Sequence, residues 1–210
     1  MKLITAKISP FAARCRMLIY AKGIHVEFLE YPVDISKEEL SAINPVSKIP
    51  TLIDGDLVIP ESDTICVYLE ERFLNPTLMP ETPAERAQMR LLCRIADLYV
   101  MTALTPLFAH LSRRRRDQVT VDAGIALVQR GLHSLEQFID NAGFAVGQRL
   151  SIADCSLAPI LYFLTVYLPF FDIDEPFSKS PNVQAYWHSI KRDPYAARVI
   201  EEIHLGIQQK

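Results

Sequence analysis

Two rhythms of apolar and polar residues divide the chain. Through residue 76 the runs are short and change period from one to the next. Residues 2–7 are a brief apolar-rich stretch and read as a strand. Residues 10–22 set Phe11, Cys15, Leu18 and Ile19 at helical spacing, and Gly23 follows as a C-cap. Over 26–30, Val26 and Phe28 alternate with charged residues, as in a strand. Residues 37–43 predict a short helix ending near Asn44-Pro45. Residues 51–53 and 57–59 flank Asp54-Gly55, a hairpin signal. Residues 61–73 carry Ile65, Leu69 and Phe73 along one helical side. The order β-α-β-α-β-β-α describes a small sheet with helices packed on it.

The second rhythm is helical throughout. The stretch "LNPTLMPETP" (74–83) holds three prolines, which break helices and suit a linker. It predicts domains over 1–76 and 84–210 joined by a linker over 77–83. Beyond it, residues 84–112, 119–142, 151–168, 181–192 and 194–205 predict an all-helical bundle. Ser151 and Asp154 form a capping box, with Leu150 and Cys155 at the staple positions. Pro159 falls inside that helix and is expected to bend it.

Composition narrows the classes. Half of the residues are hydrophobic, enough for a sizeable core. A net charge of -3 argues against a general polyanion binder, so no nucleic acid is expected. The basic run 113–116 reads as a solvated helix end before it reads as a patch for a nucleic acid or an acidic partner. No apolar run reaches the length of a membrane span and no signal peptide is evident, so a cytoplasmic protein without a membrane partner is expected. Cys15, Cys66, Cys93 and Cys155 are far apart among apolar residues and read as buried free thiols. The five histidines are equally scattered, and no metal site is expected.

Three places carry candidate chemistry. Ser9 follows a strand and precedes Pro10, a favoured first helical residue. By itself it reads first as an N-cap, and second as part of an anion site at a helix terminus, where a thiolate would be stabilised. Ile49-Pro50 stands where a loop enters a strand. A cis bond there would turn the Ile49 backbone toward a ligand, whereas a trans proline would simply close the loop. Glu61-Ser62 opens a helix directly after a strand. It reads as an acidic first turn, or as a second anion site with Glu61 beside it for an ammonium group. A thiolate site, a backbone edge and an amino-acid site together fit glutathione.

The segments "SPFAARCR", "NPVSKIPTLIDGDLVIPESDTICVYLEERF" and "LSIADCSLAPIL" resemble the soluble glutathione transferases, in the right order across nearly the whole chain. That resemblance implies an N-terminal thioredoxin-like domain, an all-helical C-terminal domain and a homodimer. It implies that Ile49, before a cis Pro50, pairs through its backbone with the cysteinyl part of glutathione. Glu61 and Ser62 would hold the γ-glutamyl end, and Lys48 the glycyl carboxylate. Ser9 matches the activating residue of the serine and cysteine classes. The implied role is detoxification: a glutathione co-substrate, its thiol activated at Ser9, attacks a small, mostly apolar electrophile.

The departures are informative. Thr5, Ala6 and Lys7 occupy the region where several classes carry an activating tyrosine. The glutaredoxin-like classes have cysteine where this chain has Ser9, and a serine cannot form a mixed disulfide. Thiol addition or substitution is therefore favoured over disulfide reduction, and a glutathione-dependent isomerase uses the same activated thiol. "ESDTICVYLEERF" followed by "PTLMPETPAERAQMRL" also resembles stringent starvation protein A. That family implies a non-catalytic regulator of the same fold, associated with RNA polymerase.

Overall fold

The computed structural model describes residues 1–140 and 143–209, with backbone alone at Arg115. Its first unit comprises Met1–Met79 and the chain from Asp193 onward; the second is Pro80–Arg192. The break lies between Met79 and Pro80. The terminal helix groups with the first unit, whereas the sequence reading placed it in the helical half.

In the first unit, β1 (Lys2–Thr5), β2 (Glu27–Glu30), β3 (Thr51–Asp54) and β4 (Leu57–Pro60) form one sheet in the order β2-β1-β3-β4. β1 and β2 are parallel, so a crossover must join them, and α1 (Pro10–Lys22) supplies it. β3 is antiparallel to both β1 and β4. Gly55-Asp56 forms the two-residue hairpin loop, one residue later than the sequence signal, with Gly55 at φ 62° where a side chain would be strained. α2 (Lys37–Ile43) and α3 (Ser62–Arg72) complete the predicted order.

Strand alternation sorts the core. Ile4 packs with Ile35 and Leu40, joined by Leu29, Ile43, Ile49 and Ile53, on one face. Leu3 pairs with Leu52, and Leu52 with Ile59, on the other, and all three are buried. α1 ends in a left-handed Gly23, with Ile24 N–H donating to the Ile19 carbonyl at 3.0 Å. α9 (Pro194–Gln208) packs along α1.

Buried charge fastens the unit's exit. Lys22 Nζ donates to Glu70 Oε2 at 2.6 Å and to the Pro76 carbonyl at 2.6 Å. Glu70 also accepts from the Thr77 hydroxyl and from the N–H of Leu78 at 3.1 Å and Met79 at 3.3 Å.

The second unit contains α4 (Pro83–Ile95), a π-helical stretch (Ala96–Met101), α5 (Thr102–Leu104), α6 (Gln118–Phe138), α7 (Ile152–Tyr167) and α8 (Pro181–Ile190). Helix α6 ends at Phe138; the predicted end at 142 lies outside the described residues. Pro83–His110 and Ile152–Phe171 are, by length and mean hydropathy of 1.5 each, long and apolar enough to cross a membrane, which corrects the sequence reading. Of the second stretch 72% is buried inside the protein, as befits a core helix. Phe108 packs on Tyr167 and Phe163, with centroids 4.8 and 6.3 Å away. In the basic run, Arg113 pairs with Asp172 at 3.1 Å, and Arg116 donates to the Phe170 carbonyl at 2.7 Å. Those arginines therefore tie their loop to the turn after α7.

The capping box at the start of α7 is present. Asp154 Oδ2 accepts from the N–H and the hydroxyl of Ser151, each at 2.8 Å, while Oδ1 accepts from Ala145 N–H at 2.8 Å. Complete burial pushes the Asp154 carboxyl up to about 6, against the pull of these donors and of the Tyr186 hydroxyl.

Two measurements follow. Glu70→Ala leaves Lys22 buried without its carboxylate and is expected to cost about 3–5 kcal/mol in urea unfolding. A loss under about 1 kcal/mol would show that the pair behaves like a surface one. Asp154 binds a proton more readily folded than unfolded, so its contribution is complete below the unfolded pKa near 3.8 and falls as pH rises to about 6. The stability of wild type minus that of Asp154→Asn should therefore shrink from pH ~4 to ~6, by on the order of 2 kcal/mol. A difference that is flat with pH would mean the donors fully compensate burial.

Candidate active site

Sheet register brings the candidates to one end. Ile4 lies opposite Thr51, and Thr51 opposite Pro60. The end of β1, the start of β3 and the end of β4 are thus neighbours. Ser9 leaves the first by a short loop, Lys48-Ile49-Pro50 enter the second, and Glu61-Ser62 leave the third. Cys15 Sγ on α1 donates to the Ser62 carbonyl at 3.5 Å, joining the starts of α1 and α3.

Ser9 is the N-cap of α1. Its backbone is extended (φ -80°, ψ 119°), and its Oγ accepts from Ala12 N–H at 3.2 Å. That bond uses a lone pair; the hydroxyl proton is still free to be donated. Pro10 follows at the first helical position. The Ser9 hydroxyl thus sits at the positive end of a thirteen-residue helix.

Ile49-Pro50 is cis. The Ile49 side chain packs in the cluster of Ile4, Ile35 and Leu40. Its backbone N–H and carbonyl make no hydrogen bond among the described residues, so the backbone is what Ile49 can present to a ligand. Lys48 beside it is exposed, and its carbonyl is occupied by Thr51 Oγ1 at 2.9 Å and Asn44 Nδ2 at 3.2 Å.

Glu61 takes φ 68° and ψ 116°, outside the regions ordinary residues prefer. Such a conformation costs roughly 1–3 kcal/mol. Glu61 is exposed, and no side chain caps α3. The first N–H groups of α3 therefore lack an intrahelical partner and a cap. Ser62 is 6% exposed, and its hydroxyl makes no hydrogen bond among the described residues. The pair offers a carboxylate outward and free donors beside it, the complement of an amino-acid head group.

Two supporting residues escaped the sequence reading. Asn44 is fully buried, with Nδ2 donating to Thr51 Oγ1 at 3.0 Å and Oδ1 accepting from Val46 N–H at 2.9 Å. It pins the loop that presents Lys48 and Ile49. Its signal was available: an asparagine just past a helix, before a proline, is a turn former. Arg16 is 3% exposed and donates to Thr5 Oγ1 at 2.6 Å and to the Ala6 and Lys7 carbonyls at 3.1 and 3.0 Å. No local pattern marks an arginine on a buried helical face. All four cysteines are buried and in no disulfide, and a hydrogen bond with Cys15 together with burial pushes the Cys66 thiol well up. Among the described residues no three His, Cys, Asp or Glu side chains gather as metal ligands would.

Comparison with known proteins identifies the family. Residues 3–77 match the family description "Glutathione S-transferase, N-terminal domain", and residues 101–186 match "Glutathione S-transferase, C-terminal domain". A stringent starvation protein A homolog of Coxiella burnetii is 28% identical over 78% of this chain and 76% of its own. Glutathione S-transferase U11 of Arabidopsis thaliana is 30% identical over 79% of this chain and 71% of its own. The crystal structure of a glutathione S-transferase from Methylobacterium radiotolerans, in complex with glutathione sulfonate, superposes with a TM-score of 0.79 at 22% identity, covering 95% of this chain and 93% of that one. With both family domains in order along one chain and the site's three segments at one end of the sheet, this protein belongs to the glutathione S-transferase family.

Proposed function

We propose that the chain is a glutathione transferase whose Ser9 hydroxyl donates to the glutathione sulfur. The observation that carries this reading is the pairing of a capped helix start at Ser9 with an uncapped one at Ser62, at the same end of one sheet. The Ile49 backbone pairs with the cysteinyl part of glutathione. Ser62 receives the γ-glutamyl carboxylate, Glu61 its ammonium group and Lys48 the glycyl carboxylate. The thiol proton leaves to solvent as the α1 terminus and Ser9 stabilise the thiolate. Sulfur then forms a bond to the carbon of a small, mostly apolar electrophile, and that carbon's leaving group departs with its electron pair. The Methylobacterium transferase holds glutathione sulfonate, which supports glutathione as the ligand. The functional unit in this reading is a cytoplasmic homodimer. With serine at position 9, mixed-disulfide chemistry is excluded there, while isomerisation by the same thiolate is retained as a variant of the reaction.

A second reading has an observation of its own. The curated relatives include stringent starvation protein A homologs over three quarters of the chain. In that reading the chain is a non-catalytic, RNA-polymerase-associated regulator that keeps the fold and the site without turnover. Within the arginine run, Arg113 pairs with Asp172 and Arg116 donates to the Phe170 carbonyl.

Glutathione titration by calorimetry and conjugation to a generic aryl halide decide between them. The transferase reading expects Ser9→Ala to lower kcat/KM about a hundredfold with little change in glutathione affinity. Ser62→Ala is expected to weaken glutathione about tenfold. Binding without turnover selects the regulator, and absence of binding at millimolar glutathione overturns the site itself. Glu61→Gly separates strain from function: stability should rise by about 1 kcal/mol as the positive φ is relieved, while glutathione affinity falls. An unchanged affinity would remove Glu61 from the site.

A further inference from the structure

The Ser9 loop is held from outside as well as by its own cap. The Ala6 carbonyl accepts from Ser9 N–H at 3.0 Å and from Arg16 Nη1 at 3.1 Å, so one oxygen separates Arg16 from the Ser9 backbone. The same guanidinium holds Thr5 Oγ1 and the Lys7 carbonyl, at 2.6 and 3.0 Å. Its remaining edge, Nε, donates to Glu202 Oε2 on α9 at 2.7 Å. Glu202 is fixed in turn. Its Oε1 accepts from the Tyr20 hydroxyl at 2.8 Å and from Arg198 at 3.4 Å, and the Arg198 guanidinium lies 3.5 Å over the Tyr20 ring. One turn further along α9, Gly206 lies directly against the loop. A Cβ there would stand 2.7 Å from Ile8 Cγ2, 3.0 Å from Lys7 Cβ and 3.1 Å from the Ile8 nitrogen.

A bridging ion pair holding residues 5–7 and a backbone-close glycine against Lys7 and Ile8 thus act together on the segment before Ser9. A buried arginine with four of its five N–H donors matched to three loop atoms and one carboxylate is tightly constrained in geometry. We infer that α9 sets the position of Ser9, with Arg16, Glu202 and Gly206 as positioning residues for activation of the thiol. The inference rests on the reading that Ser9 acts on the glutathione sulfur. None of the three touches the ligand; they act by holding the Ser9 hydroxyl where the thiolate forms, and small displacements at such a point are costly to rate.

The test uses the full chain with Glu202→Ala, Glu202→Gln and Gly206→Ala. It reads the pH profile of kcat/KM, the glutathione Kd and amide hydrogen exchange over residues 7–12. Glu202→Ala and Gly206→Ala should move the rising limb of the profile to higher pH and lower kcat/KM roughly tenfold on that limb, with Kd little changed and exchange at Ser9 and Ala12 faster. Glu202→Gln keeps an oxygen for Arg16 and should restore the profile. In a Ser9→Ala background, Glu202→Ala should add nothing. An unmoved profile with unchanged exchange in both variants overturns the inference, as does a loss that persists in full without the Ser9 hydroxyl. Should Ser9→Ala alone leave conjugation intact, the assignment of Ser9 as the activating residue fails instead, and loop exchange still decides whether α9 holds the loop.

Discussion

β3 lies between β1 and β4, with Thr51 opposite Ile4 on one side and Pro60 on the other. The antiparallel pairings place the incoming end of β3 beside the outgoing ends of both neighbours. A slip of one residue would turn Ile53 off the face it shares with Ile4, and Leu52 off the face it shares with Leu3, so the buried faces lock the register. Three loops distant in sequence are thereby delivered to one place, and each arrives with a different chemical offering. Ile49 shows the economy of this arrangement. Its side chain is spent on the core, and its backbone N–H and carbonyl make no hydrogen bond among the described residues.

The buried polar groups serve loops rather than the core. Glu70 collects the N–H groups of Leu78 and Met79, Asn44 holds Val46, Lys48 and Thr51, Asp154 holds Ala145 and Ser151, and Arg16 gathers residues 5–7. An irregular segment that turns inward carries donors and acceptors with no ladder to satisfy them, and leaving one unpaired costs as much as a lost hydrogen bond. One polar side chain with several bonding positions answers several such groups at once. The expense is ordering a buried charge. Two of these groups, Glu70 and Arg16, have a partner of opposite sign within 2.7 Å.

Local chemistry was legible in the chain, and tertiary partnership was not. Pro10, Gly23, Ser151 and Asp154 carry their meaning within a few residues, and the bounds of α1 and α2 agree with the apolar rhythm to the residue. The same rule applied further would have found the boxes Ser36-Glu39 and Thr82-Glu85, both present. Ser9-Pro10, Ile49-Pro50 and Glu61-Ser62 were visible as places where chemistry could sit. The strained φ of Glu61 was not, because no neighbouring residue demands it. Arg16 and Glu202 are 186 residues apart and their pairing needs the packing of α9 on α1, which no periodicity encodes. The terminal helix reads as one more amphipathic helix until its partner is known.

In the transferase reading, capping and activation at Ser9 draw on different parts of one hydroxyl. The cap consumes a lone pair, aligned toward Ala12, and so fixes the oxygen while the proton stays outside the helix. A fixed donor beside a helix terminus loses little orientational freedom when a thiolate arrives, which is where preorganised electrostatics gains over water. Alanine would lose both functions, and threonine would retain both at the cost of one methyl group in a half-buried site. Glu61 bears on whether the site is used. Its conformation costs free energy, its side chain is exposed, and no side-chain cap offsets the cost. The surrounding fold holds the residue there, its carbonyl accepting from Ile65 N–H at 2.9 Å as α3 begins, and in the transferase reading that fixed conformation is what aims the Glu61 carboxylate at the ligand.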